Sequence, residues 1–178
     1  LNSPEFNRLK YKKDNDQKIL TILCGINDYK PFIKILNSCD LTHTKIYVLP
    51  HPLNMRKTLN YFRINLNYPF FNGNNLNREK ILKNSDQIIF GDTMLGFELA
   101  LKKFNVLRVY DKEYIPTFDI TKDLPTACDI KSFNKLTKKK LFFDKKKLEK
   151  DFFYKYDMKA SKRFLKLLEK IKKTLINI

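Results

Sequence analysis

Short apolar runs alternate along the chain with segments whose apolar residues recur every three or four positions. KILTIL (18–23) is rich in β-formers and ends at Cys24-Gly25, which predicts a buried strand. From Asp28 to Asn37, the residues Tyr29, Phe32, Ile33 and Ile35-Leu36 follow a helical pattern. THTKIYVL (42–49) predicts a second strand, and MRKTLNYFRIN (55–65) a helix with Leu59, Phe62 and Arg63 at turn spacing. LNYPFFNGNNLN (66–77) carries Asn, Gly and Pro and reads as a loop. A short helix over about 78–83 precedes QIIF (87–90), a third strand. GDT then forms a turn, Met94–Lys103 a helix, and VLRVY (106–110) a fourth strand. Strand and helix in strict alternation give an α/β class: a Rossmann-like parallel sheet flanked by helices.

Beyond Tyr110 the pattern loosens. DKEYIPTFDITKDLPTACDI contains Pro116 and Pro125 and reads as loop with short elements. Helices resume over about 145–156 and 158–176. In the last of them Phe164, Leu168, Ile171 and Leu175 form one stripe, while Lys162, Lys166, Lys170 and Lys173 face elsewhere. Packing on the sheet with a solvated basic face accounts for this pattern, and so does a helix lying on a membrane surface.

Composition narrows the class. With 178 residues and 43% hydrophobic content the chain fits one domain with one sizeable core, and it is not a disordered composition. No apolar run reaches the roughly 18–20 residues of a membrane span. The N-terminal stretch 1–17 is a polar extension without the apolar core of a signal peptide. It begins at Leu1 rather than Met, which points to a processed, trimmed or fused chain. Cys24, Cys39 and Cys128 are odd in number and widely spaced, so they read as small apolar residues of a reducing cytosol, not as a disulfide or zinc framework.

The formal charge of +17 is the strongest compositional signal. Such a surface attracts nucleic acid, anionic headgroups, acidic glycans or nucleotides. The accompanying richness in Lys, Asn, Ile and Phe is also what an AT-rich coding sequence produces. The basic residues concentrate in KLTKKKLFFDKKKLEK (135–150) and the last helix, which suggests one basic side.

Candidate chemistry lies in three loops that follow three strands: CGIND, PHPLN and FGDT. In a parallel sheet they share one edge, where α/β proteins bind ligands. Pro50 and Pro52 restrict the backbone on both sides of His51, and Pro52 suits the first turn of the next helix. A fixed imidazole at a helix N-terminus can donate to a phosphate oxygen; it can equally cap or pack within the turn. Asp92 and Thr93 open the following helix, with Glu98 in its first turns and Gly91 and Gly96 allowing close approach. Phosphate and ribose binding, or an ordinary N-cap on a core helix, both explain these residues. His43 reads as a surface residue. No GxGxxG, Walker, HExxH or GxSxG pattern occurs.

The segment 84–111 resembles the nucleotide-sugar half of GT-B glycosyltransferases, whose pattern Ser85-Asp86, Gly91-Asp92-Thr93, Glu98-Leu99 and Asn105-Val106 follow. His51-Pro52 resembles the HP motif of bacterial sialyl- and polysialyltransferases and related capsule and lipooligosaccharide enzymes. FFYKYDMKASKRFLKLLEKI (152–171) is similar to the C-terminal helix of surface-polysaccharide transferases. The likeness runs over about residues 18–175. It implies that 18–178 is a single Rossmann-like nucleotide-sugar-binding domain, one half of a GT-B fold. The implied function is a glycosyltransferase, or its donor-binding domain. It would transfer a sugar, with sialic acid from a CMP-sugar favoured, to a surface glycan or glycolipid acceptor, without a metal or other cofactor.

In that reading His51 is catalytic and contacts the donor phosphate. Gly25, Asn27, Pro52, Gly91, Asp92, Thr93, Met94 and Glu98 complete the donor site. Two positions depart from the pattern. Asp92 stands where a hydroxyl residue is usual, so Thr93 is the better phosphate ligand and Asp92 is expected to point away. Asn105 replaces a proline. The length suffices for one of the two GT-B domains, which implies a donor-binding fragment, a compact variant or a degenerate relative. The expected location is the cytoplasm, with the basic helices docked peripherally on an anionic inner membrane face. The competing reading is a non-catalytic or nucleic-acid-binding basic α/β interaction domain, although no specific nucleic-acid motif is present.

Overall fold

In the computed structural model, residues 17–26, 28–110 and 124–138 are described, together with positions 141, 143, 144, 146 and 148. Six strands form one sheet in the order β3-β2-β1-β4-β5-β6. They are β1 (Lys18–Leu23), β2 (Thr44–Leu49), β3 (Phe70–Asn72), β4 (Gln87–Phe90), β5 (Val106–Val109) and β6 (Thr126–Ala127). Every pairing is parallel, with Leu23 opposite Leu49 and Phe90 at the carboxyl ends of the three central strands. This is the doubly wound Rossmann-like arrangement: the chain winds outward from β1 to β3, returns, and winds the other way from β4 to β6.

The strands read as continuous apolar runs because both faces are covered. Residues 19–23 of β1 and all four residues of β4 and β5 are buried. On one face Leu20, Ile22, Ile46, Val48, Ile89 and Leu107 pack against Phe32 and Leu36 of α1 (Lys30–Leu36), Phe62 of α2 (Met55–Asn65) and Phe133 of α5 (Ile130–Thr137). On the other, Leu23, Leu49, Ile88, Phe90 and Val106 meet Leu82 of α3 (Arg78–Asn84) and Phe97, Leu99 and Leu101 of α4 (Met94–Leu101). Local signals set the ends. Pro31 lies in the first turn of α1, the Asn77 side chain accepts from the Lys80 amide at the start of α3, and Asp129 and Ser132 form a reciprocal capping box on α5. Helix α4 stops at a left-handed Lys103 (φ 66°), where the Phe104 amide donates to the Leu99 carbonyl.

Three elements correct the sequence expectation. The segment 66–77, expected as loop, contains β3 and a 3₁₀ turn over Gly73–Asn75; the strand is three half-buried residues at the sheet edge, too short for its pattern to show. β6, a two-residue strand directly after Pro125, is one of the short elements expected in that segment, but its place in the sheet was not; α5 occupies 130–137, where no helix was expected because only Phe133 is buried in it. The sheet therefore has six strands, not four. The expected polar extension 1–17 (apart from Gln17), the loop over 111–123 and the basic helices over about 145–156 and 158–176 lie outside the described residues, but for Lys146 and Leu148. Among the described residues no helix is long and apolar enough to cross a membrane.

Gly96 shows how closely α4 meets the sheet. A Cβ there would lie 2.1 Å from Cδ2 of Phe90, a ring that is fully buried and stacked edge-on to Phe97. Alanine normally favours a helix over glycine by about 1 kcal/mol. Overpacking of a rigid core typically costs about 1–3 kcal/mol, and this overlap is severe. Gly96→Ala is therefore expected to lower stability, by about 1–2 kcal/mol net in urea unfolding. A stabilised variant would show that the helix stands off from Phe90.

Candidate functional site

All six strands point the same way, so the loops after β1, β2, β3 and β4 emerge at one carboxyl edge. The winding reverses between β1 and β4, and it is at this switch point that open α/β sheets have their ligand crevice. Side chains tie these loops to one another. Asn54 Nδ2 donates to the Ile26 carbonyl (2.7 Å), joining the β2 loop to the β1 loop. Asn74 Nδ2 donates to the Pro50 carbonyl (3.1 Å), joining the turn after β3 to the β2 loop.

The β1 and β4 loops are joined by Asp28. Its Oδ1 accepts from the Gly25 amide (2.6 Å) and its Oδ2 from the Asp92 amide (2.7 Å), and the residue is 3% exposed. Glycine is required on both sides. A Cβ at Gly91 would sit 2.2 Å from Asp28 Oδ2, and one at Gly25 2.9 Å from the same atom. Burial is the main influence on the carboxyl and raises it from 3.8 to about 6; the two amides pull it down, and the charge of Asp92 pushes it further up. The neighbouring Cys24 thiol is raised well above its ordinary range by burial and then by Asp28, so it is neutral.

Asp92 is turned away from the crevice. Its carboxylate accepts from Arg108 Nη2, a fully buried guanidinium on β5 that also lies 5.4 Å from the Tyr110 ring. The turn Gly91–Thr93 is thus anchored from both sides, by its amide to Asp28 and by its side chain to Arg108. Thr93, the N-cap residue of α4, makes no side-chain capping bond, and its carbonyl accepts from the Gly96 amide (2.9 Å). Met94 follows as an exposed residue, and Glu98 lies half-buried one turn into the helix.

His51 precedes the 3₁₀ turn Pro52–Asn54 that leads into α2. It does cap that turn: Nδ1 accepts from the Leu53 amide (3.3 Å), and the His51 carbonyl accepts from the Asn54 amide (3.0 Å). An imidazole accepting at Nδ1 carries its proton at Nε2, which leaves that edge of the ring as a donor. The loops of His51 and Thr93 flank the β1 loop, so their strands are two spacings apart, about 10 Å. Ile26, Leu53, Leu76 and Met94 leave apolar side chains exposed on the same four loops.

Of the residues singled out from sequence, Gly25, His51, Pro52, Gly91, Asp92, Thr93, Met94 and Glu98 all lie on this edge or in the helix it opens, with the Asp92 carboxylate directed inward; Asn27 lies outside the described residues. Ser85 and Asp86 are at the opposite, amino edge. Ser85 shares a hydrogen bond with Thr21 Oγ1 (2.6 Å) and Asp86 accepts from the Ile19 amide (2.8 Å). His43 is there too, in a cleft of about 580 Å³ with Lys18, Asn105, Phe133 and Lys138. Asp28 and Arg108 were not anticipated. Their signals were a lone cation inside the apolar run VLRV and an acid three residues after a strand-ending glycine.

No protein-family model and no curated protein matches the chain. Among solved structures it is similar to the wall teichoic acid polymerase TagF. A form soaked with CDPG for 15 minutes gives a TM-score of 0.47 at 16% identity, covering 90% of this chain and 43% of that one. A 30-minute soak gives 0.45 at 16%, covering 92% and 44%, and a further TagF structure 0.42 at 17%, covering 90% and 45%. The chain spans less than half the length of these structures.

Asp28 makes stability depend on pH in a defined sense. Its folded carboxyl lies above the ordinary value, so the folded state binds the extra proton. Its contribution is most favourable below about 4, declines as pH rises towards about 6 and is level above that. Two pH units amount to about 2–3 kcal/mol. The stability difference between the protein and Asp28→Asn, measured by urea unfolding, is expected to shift against the native chain by this amount from pH 4 to 7. A difference independent of pH would contradict the buried carboxyl.

Proposed function

We propose that the carboxyl-edge crevice is the donor site of a glycosyltransferase, or of its donor-binding domain, and that it holds the phosphate of a nucleotide sugar. The single observation that carries this reading is the pairing of two uncommitted donors, His51 Nε2 and Thr93 Oγ1, on the loops either side of the switch point. Thr93 stands at the start of α4, where backbone amides favour an anion, and His51 caps the short turn ahead of α2. Their strands are two spacings, about 10 Å, apart, so the reading requires both side chains to turn toward the β1 loop between them.

In this reading the bond between the sugar's anomeric carbon and a phosphate oxygen breaks, and the oxygen takes up the negative charge. His51 donates to it from Nε2 while Nδ1 stays fixed by the Leu53 amide. Thr93 and the amides at the head of α4 stabilise the same charge with donors already in place. Glu98 accepts from the ribose hydroxyls, and the loop of Gly25 lines the pocket. Asp92 supports the turn instead of touching the ligand, in keeping with its ion pair to Arg108. The oxygen of an acceptor hydroxyl, on a surface glycan or glycolipid, forms the new bond, and its proton goes to a base outside these residues. The HP resemblance makes a CMP-sugar, with sialic acid as the transferred group, the first donor to test. The lysine-rich sequence over about 135–176 would bring the protein to an anionic membrane face near such acceptors.

The charge of +17 favours a second reading, a basic domain that binds nucleic acid without catalysis. One thermal-shift panel separates the two. On the donor-site reading CMP, UDP, GDP or one of their sugars raises Tm by mass action, and His51→Ala and Thr93→Val each weaken that ligand about tenfold or more. Stability of the free variants should change by no more than about 1 kcal/mol, since His51 loses one exposed cap and Thr93 none. Salt-sensitive binding of generic RNA or DNA, with no response to any nucleotide, would favour the second reading and remove His51 from the chemistry.

A further inference from the structure

The crevice already contains an anion belonging to the protein. Asp28 places a carboxylate between the β1 and β4 loops, on the two amides that converge at the switch point. No cation pairs with it among the described residues; the nearby guanidinium of Arg108 is engaged with Asp92. The carboxylate therefore has two effects on anything bound beside it. It fixes the Gly91–Thr93 turn through the Asp92 amide, and so sets where the Thr93 hydroxyl lies. It also puts a buried negative charge next to the position where a phosphate would sit, in surroundings that screen it poorly.

Resting on the donor-site reading, we propose that Asp28 is the positioning residue of the crevice, and that binding a ligand phosphate is coupled to uptake of one solvent proton by its carboxylate. The neutral acid keeps one oxygen to accept an amide while relieving the repulsion between two anions. Beside it are the neutral Cys24 thiol and Asp92, whose charge acts on it, with Arg108 paired to Asp92; Tyr29 follows it at the head of α1, and Glu98 on α4 and His51 after β2 stand on the neighbouring elements. Asp92 and Arg108 form an ion pair, Glu98 lies a turn into α4, and His51 is fixed through Nδ1 by the Leu53 amide. That leaves Asp28 as the buried acid whose titration, near 6, falls where a neutral-pH ligand can shift it.

The test follows backbone amide resonances of the whole chain by NMR from pH 5 to 8, with and without sulfate or UDP-glucose, neither of which titrates across about that range. Without probe, the Gly25 and Asp92 amides should move together with a midpoint near 6, because both donate to the same carboxylate. A saturating probe should raise the midpoint by about one pH unit, equivalent to about tenfold tighter binding at pH 5 than at pH 8. The ring protons of His51 report its own titration separately. In Asp28→Asn the shared titration of the two amides should disappear, and the pH dependence of affinity should fall to the part that the His51 ring protons account for; should that variant not fold, the midpoint shift in the native chain decides alone. A probe that perturbs the Thr93 amide yet leaves the midpoint in place overturns the coupling while the donor site stands. A probe that perturbs none of Gly25, His51 and Thr93 overturns the donor-site reading and the proposal with it.

Discussion

Two backbone amides, one from each half of the sheet, donate to the carboxylate of Asp28, and the carboxyl edge is built around that contact. A buried carboxylate without a cation is costly, several kcal/mol after relaxation. Two short bonds from amides to a charged acceptor recover about 1.5–3 kcal/mol each. The balance is close, and the raised carboxyl expresses it: the group is held, yet near neutrality it is held under penalty. Gly25 and Gly91 exist in this arrangement because any side chain would occupy the space of the carboxylate. Asp92 can give its amide to Asp28 only while its own side chain is accommodated elsewhere, and Arg108 provides that place from the neighbouring strand.

The two edges of the sheet differ in how their polar groups are engaged. At the amino edge, Asp86 accepts from Ile19, Ser85 and Thr21 bond to each other, and Asn105 donates to the Asp86 carbonyl and to Gln87. These contacts close the ends of β1, β4 and β5 against one another. At the carboxyl edge, Asn54, Asn74 and Asp28 link the loops, while the Nε2 edge of His51 and the hydroxyl of Thr93 are not engaged in capping. Apolar side chains stand exposed beside them. A frame held by one set of residues and donors left on another is the division of labour expected of a binding edge: the first set supplies rigidity, and the second meets the ligand.

Much of the fold was legible because the central strands are apolar on both faces and the helices carry clear stripes. KILTIL, KIYVL, QIIF and VLRV stand out against polar surroundings, and Phe32, Phe62 and Phe97 recur at helical spacing within theirs. The edges of the sheet were not legible for the opposite reason. β3 and β6 have three and two residues, and α5 contributes one buried phenylalanine, so the pattern is shorter than a period. At the site, His51 was marked by its flanking prolines and Thr93 by its place after a strand and a glycine. Asp28 left no such mark. Its importance depends on the amide of a residue 64 positions away, a contact that only the reversal of winding between β1 and β4 creates. Arg108 was visible as a charge in an apolar strand, but its partner was not.

The central claim is that an anionic ligand is received where β1 and β4 diverge, on a frame set by Asp28. The most direct measurement is the position of CMP or UDP in crystals of the chain. The account predicts the phosphate between the β1, β2 and β4 loops, within hydrogen-bond distance of His51 Nε2 and Thr93 Oγ1. A nucleotide seated at the other end of the strands, in the cleft of Lys18, His43 and Lys138, would contradict it.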